Sequence, residues 1–378
     1  MNSTKFNFPK SIEDDALSKI LKWSLLVFFI SVLLYFGKIL FVPLLFGLLI
    51  SLVMYPVCAK MEKIGLPRSL AVTAILLFVI LLFVCLIWLL AIEINIFLRD
   101  FPLILKRLSQ LLPDMTKWVE HSFGISPESQ NSWFQKLSSN LDNDITGLIK
   151  GLFNTTISTV IMLVIIPIYA ALFLYHRETF VRYLEIIVGA EYRKKLHLIL
   201  HESIFSYFKF VKGNFYVYCI VGCLNVIGLL VLGIKQAFLY GMLASFMMVI
   251  PYVGIFISAA IPVSIALITK DSILYPIAVI SVFVFIQYLE SNVIFPRVVG
   301  EQLNLSTWST LVAIVAGTII WGIAGMVLVT PFLAILKIIS DHVSDWRPLN
   351  ILLNRAEGYQ GKKMSPIVKE DDRTRVVM

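Results

Sequence analysis

The apolar residues of this chain come in runs of roughly 20 or more, the length that crosses the hydrocarbon core of a bilayer. That property limits the chain to a polytopic all-α membrane fold, because helices can satisfy their own backbone groups in lipid. Its 378 residues would otherwise allow two or three soluble domains, but 58% are hydrophobic and only 15% charged. The first run begins at Trp23, after Lys19 and Lys22, and continues nearly to Lys60. It is too long for a signal-peptide core and no small-residue cleavage pattern follows, so the N-terminus is expected to be retained.

Residues 1–22 read as a cytoplasmic N-terminal segment and 23–98 as three spans. The first two, Trp23 to Gly37 and Ile39 to Cys58, form a helical hairpin. The third, Ser69 to about Ile92, follows a link carrying Lys60, Lys63 and Arg68, which the positive-inside rule places in the cytoplasm. Residues 99–150 hold six basic and six acidic residues. Ile104, Leu108, Leu111 and Met115 fall at helical spacing, as do Phe134, Leu137, Leu141, Ile145 and Leu148 behind Ser126-Pro127. This segment is predicted to be a small extracytoplasmic helical domain.

Residues 151–175 return to the cytoplasm as a fourth span. Residues 176–212, with seven Lys/Arg against four Glu, place Leu196, Leu200, Ile204, Phe208 and Val211 on one face, as in a helix lying on the membrane surface. Residues 213–340 form a C-terminal membrane region. Within it, 237–269 (interrupted by Pro251 and Pro262) and 305–337 (interrupted by Gly317, Gly322, Gly325 and Pro331) are too long for one straight crossing. Each is a broken helix or a re-entrant hairpin, and counting each once predicts eight crossings. Residues 341–378 are a cytoplasmic tail, so both termini face the cytoplasm, consistent with eight Lys/Arg between Lys337 and Arg375.

No GxSxG, P-loop, HExxH or dinucleotide-binding pattern is present, so the chain is read as a non-enzyme without a cofactor. His197 and His201 stand i,i+4, but Leu198 occupies the place of a zincin glutamate. Cys219 and Cys223 share a helix face with no His or carboxylate beside them, so no metal site is expected. The net charge of +8 is read as cytoplasmic anchoring and not nucleic-acid binding.

The polar signal lies in the span Ile273 to Phe295, which carries Gln287, Glu290 and Asn292 ahead of Pro296-Arg297. A charged residue at mid-membrane costs roughly 2.5–3.5 kcal/mol, so such groups usually face a cavity or a partner. Glu290 therefore either binds a polar substrate or cation beside Gln287, or sits among the head-groups and pairs with Arg297. Ile250-Pro251-Tyr252-Val253-Gly254 is a candidate helix break, exposing backbone dipoles as in many secondary transporters, or ordinary Pro/Gly punctuation. Asn225 is either a lining group or interhelical glue. Pro262 and Pro296 are further break positions.

Several of these residues together resemble the AI-2E (autoinducer-2 exporter) family of bacterial membrane proteins. The resemblance covers about residues 20 to 340. It rests on Gly65-Leu66-Pro67-Arg68, Lys212-Gly213-Asn214, Ile250 to Gly254, Gln287-Tyr288-Leu289-Glu290-Ser291-Asn292 with Pro296-Arg297 and Gly300, then Gly317, Gly322, Pro331 and Lys337. The family commonly has Gln at Asn214, Pro and Gly at Ile255 and Ser258, and His-Pro at Ser306-Thr307. The resemblance implies about eight spans, an outer helical domain after the third, homo-oligomeric assembly and a bacterial inner-membrane location. It also implies export of autoinducer-2 or, in some members, sodium or lithium/proton antiport, and adds Asn214 to the pathway candidates.

The expected function is export of a small polar solute. The alternatives are cation/proton antiport and a non-transporting scaffold whose outer domain binds a partner.

Overall fold

The computed structural model describes residues 10–123, 156–248, 253–270, 272–299 and 305–354. Among these every regular element is helical. In order they are α1 (Lys10–Phe36), α2 (Lys38–Lys63), α3 (Arg68–Phe123), α4 (Thr156–Tyr175), α5 (Arg177–Val188), α6 (Arg193–Val231), α7 (Ala237–Met247), α8 (Val253–Thr269) and α9 (Leu274–Leu289). They continue with a π turn (Glu290–Ile294), α10 (Phe295–Val298), α11 (Thr307–Trp321), α12 (Ile323–His342) and α13 (Arg347–Leu353). Among the described residues five helices are long and apolar enough to cross a membrane, or six if the bent pair α4 and α5 is one span. The chain is a polytopic helical membrane protein.

Both long interrupted segments turn back on themselves. In the first, α7 and α8 lie antiparallel, with Gly254 against the carbonyl of Met247 at one end and the Lys270 ammonium beside Gly233 at the other. In the second, Gly322 (φ +63°, ψ −141°) makes the turn. The backbones of Gly317 and Gly325 then meet so closely that a Cβ on Gly325 would stand 2.0 Å from the Gly317 carbonyl oxygen. The small residues thus serve close backbone approach, the usual way membrane helices pack. The Trp321 indole donates to the Leu34 carbonyl at 2.8 Å, fastening this hairpin to α1.

Two expectations change. The 56-residue α3 runs without a break to Phe123, so residues 99–123 continue the helix of the third span and no turn separates them from it. No glycine occurs between Arg68 and Phe123. The fall in hydropathy near Arg99 marks a change of surroundings, not of backbone. Residues 124–150 lie outside the described residues.

Likewise α6 continues unbroken for 39 residues, so residues 196–211 extend a spanning helix and do not form a separate surface helix. The surface-helix geometry belongs to α5, bent 67° from α4. It leaves Phe180, Tyr183, Ile186 and Ile187 exposed, as suits a helix lying at a membrane interface.

Two clusters organise the interior. Cys58 of α2, Ala71, Val72, Ile75 and Val79 of α3, and Leu174 of α4 pack as one group. In the other half, Leu229 of α6 packs with Tyr240 and Ala244 of α7, Ile261, Ile265 and Ala266 of α8, and Val279 and Phe283 of α9. Helix α6 also meets α2 and α12 through Tyr207, Val42, Leu49 and Leu328, and so forms the spine between the two halves.

Candidate functional site

A cleft opens where α6, the α7–α8 hairpin and α9 converge. It is lined by Val221 and Asn225 from α6, Ala244 from α7, Met248 just beyond α7, Ser258 from α8, and Phe283, Ile286 and Gln287 from α9. Its free volume of about 10 Å³ has room for roughly one water. Asn225 is only 4% exposed, and its side-chain carbonyl oxygen is buried without a hydrogen-bond partner. An unsatisfied buried acceptor costs roughly 1–3 kcal/mol, so this amide fits a site that must accept a hydrogen bond from a guest better than it fits a packing role.

On the α9 side, Gln287 Nε2 donates to Glu290 Oε2 at 2.7 Å and to Ser291 Oγ at 3.3 Å. Ser291 Oγ in turn donates to Glu290 Oε2 at 3.1 Å. Gln287 therefore links the cleft wall to the carboxylate. Among the described residues no ion pair joins Glu290 to Arg297, which lies exposed near the end of α10. The Glu290–Arg297 pair weighed above is not formed.

The backbone widens here for a local reason. Pro296 has no N–H to give the carbonyl of Asn292, and its ring crowds that carbonyl. The turn relaxes to a π register in which the Phe295 N–H bonds the Glu290 carbonyl. Asn292 is exposed and its Nδ2 donates to the Tyr288 carbonyl at 2.9 Å, so it supports this turn and does not line the cleft. Such π turns concentrate at functional sites.

Of the remaining candidates, Asn214 is half-buried on α6 and Pro262 is buried within α8. Gly254 closes the hairpin against Met247. Pro251 and Tyr252 lie outside the described residues. Ser258, 4% exposed, also lines the cleft, although one serine in a long apolar segment gives no signal until the hairpin folds back.

A second polar group fastens the Lys63 end of the first half. Arg177 pairs with Glu62 across α5 and α2, and Cys58 Sγ donates to Glu62 Oε1 at 3.4 Å. Arg68 pairs with Glu178 at 3.0 Å and donates to the Leu174 carbonyl at 3.1 Å. These pairs clamp the α2–α3 link to the α4–α5 bend.

Residues 24–345 match the model of a family described as "AI-2E family transporter". The chain belongs to that family. Among AI-2E relatives, "Putative transport protein YueF" of Bacillus subtilis (strain 168) is 24% identical over 356 residues, covering 85% of this chain and 92% of its own. YrrI of the same organism, similarly titled, is 26% identical over 320 residues, covering 81% and 87%. "AI-2 transport protein TqsA" of Escherichia coli (strain K12) is 22% identical over 325 residues, covering 84% and 90%. The AI-2E membership makes the chain a member of a bacterial membrane transporter family.

Proposed function

We propose that this AI-2E protein exports a small polar solute such as autoinducer-2 across the bacterial inner membrane, with both termini in the cytoplasm. The observation that carries the reading is the buried, unpartnered carbonyl of Asn225 facing a cleft whose opposite wall is Gln287, itself bonded to Glu290. An amide acceptor, an amide donor and a carboxylate within one apolar setting are the groups that recognise a small hydrogen-bonding molecule. The similarity to TqsA supports autoinducer-2 as the solute to try first.

The test compares autoinducer-2 inside and outside cells that lack their own exporter and carry this protein, Glu290→Gln, or an empty membrane control. Wild type lowers the internal pool, and Glu290→Gln, present in the membrane at equal level, loses ten- to a hundredfold in flux. That range corresponds to a charge-assisted hydrogen bond of about 1.5–3 kcal/mol. Equal pools in all three strains refute the autoinducer-2 reading.

One observation favours a second reading. The cleft has room for about one water, and among the described residues the neighbouring carboxylate has no cation paired with it. Both suit exchange of a monovalent cation for protons. Sodium- or lithium-driven proton movement in vesicles, absent in Glu290→Gln, would select it.

A further inference from the structure

Ser203, Tyr207, Asn214, Tyr218 and Asn225 follow one another along α6 at separations of 4, 7, 4 and 7 residues. At 100° per residue they occupy a single stripe about 60° wide and about 33 Å long. Val221 is the one apolar residue in the same sector between Ser203 and Asn225, and the sector lies on the side turned to the interior. Ser203 is 5%, Tyr207 9% and Asn225 4% exposed.

The stripe starts at the cleft, whose wall includes Asn225. Farther along, Tyr207 packs in one cluster with Val42 and Leu49 of α2 and Leu328 of α12. At its end, Glu202 beside Ser203 pairs with His342 of α12 at 3.4 Å.

The two ends share a further property. Among the described residues four buried side-chain polar atoms lack a partner, and two of them are the Asn225 carbonyl oxygen and the Ser203 hydroxyl. Packing alone does not account for placing unsatisfied groups at both ends of one stripe, because each costs stability. A lane that fills with water in another state of the protein does.

We propose that this face of α6 is the second half of the transport pathway: a lane of hydroxyls and amides leading from the cleft to the Ser203 end, closed at Tyr207 by α2 and α12 and bordered at Val217 and Val221 by Ile286 and Val299. Its groups are neutral, so its occupants are water and an uncharged hydrogen-bonding cargo. The lane rests on the pathway reading of the cleft. It opens when α2 and α12 move off α6, and adds Tyr218, Tyr207 and Ser203 to the residues that meet the cargo.

The test measures water access and needs no known substrate. In a background with Cys58, Cys85, Cys219 and Cys223 replaced, single substitutions Ser203→Cys, Tyr207→Cys, Asn214→Cys, Tyr218→Cys and Asn225→Cys are exposed to a charged, membrane-impermeant methanethiosulfonate in vesicles of both orientations. Phe215→Cys, Ile220→Cys and Ile227→Cys, on exposed apolar positions of the same helix, are the controls. Thiols react as thiolates and need water to ionise, so the stripe is expected to label at least about tenfold faster than the controls.

Labelling at Asn225→Cys alone overturns the lane and leaves the cleft reading standing. Labelling at none of the five, in protein that is folded by thermal unfolding, overturns both. Ser203→Cys is nearly isosteric and keeps the test decisive if a tyrosine replacement fails to fold.

Discussion

A Cβ built on Gly254 would stand 1.8 Å from the carbonyl oxygen of Met247, so the α7–α8 hairpin closes only because residue 254 has no side chain. Backbone and not a flexible side chain is in the way, so the hairpin itself must shift to admit a methyl group. Gly254→Ala should lower stability by about 3 kcal/mol, at the upper end of overpacking costs, and abolish transport. Gly322→Ala is the comparison. A Cβ there meets nothing within 4 Å, and the penalty of about 1–3 kcal/mol comes from its backbone angles alone. Thermal unfolding in detergent, paired with flux, separates the two: Gly322→Ala should retain transport.

Asn225→Leu removes a buried acceptor that has no partner. Most substitutions in a packed helix destabilise, but this one should be neutral or raise stability by about 1 kcal/mol while eliminating flux. A clear fall in melting temperature would instead mean that the amide serves packing.

Pro296→Ala restores the missing N–H to the helix and removes the ring that crowds the Asn292 carbonyl. The π turn should relax towards an α register, changing how the Glu290 carboxylate is presented. Stability is expected to stay level or rise, with flux falling. Unaltered flux would mean that the wide turn is incidental.

The two ion pairs at the Lys63 end should differ. Arg177 and Glu62 are each about one-fifth exposed, whereas Glu178 is 78% exposed. Glu62→Ala leaves a largely buried guanidinium without its partner and should cost about 3 kcal/mol, the low end for a broken buried pair. Glu178→Ala should cost at most about 0.5 kcal/mol, and raised salt should remove even that. Chemical or thermal unfolding at two ionic strengths checks both.

Much of this architecture was legible from hydropathy: the charged link before α3 and the two interrupted segments at 237–269 and 305–337. The predicted hairpin of the first two spans is not formed, because Gly37 (φ −83°, ψ 11°) keeps near-helical angles and helix-type hydrogen bonds to Leu33 and from Phe41, so α1 runs on into α2 at a one-residue break. What periodicity could not supply was whether the two interrupted segments turn back. That depends on tertiary contacts, Gly254 on Met247 and Gly317 on Gly325, whose partners lie within the same apolar run. Hydropathy also does not give the helix ends. It registers the solvent around a helix and not its hydrogen bonds, so it cut α3 at Arg99 and α6 at Lys212 where neither helix breaks.

The site was legible in part for the same reason. Gln287, Glu290 and Asn225 stand out because polar groups are rare in such spans, and they do converge. Asn292 stood out equally, yet its amide serves its own backbone. Ser258, Tyr218 and Tyr207 were overlooked because each alone is unremarkable, and only the shared phase of the stripe on α6 distinguishes them.

The unbroken run of α3 has a mechanical consequence. Its 56 residues make a rod about 84 Å long, nearly three times the thickness of a bilayer core. One end is tied by Arg68 to Glu178 and to the Leu174 carbonyl. Pro102 and Pro113 fall in the far half of the rod, where each removes a backbone donor and favours a bend. The near half has no such weak point between the salt-bridged corner at Arg68 and Arg99, so a displacement of the α4–α5 bend is handed directly to the helix that carries the third apolar run.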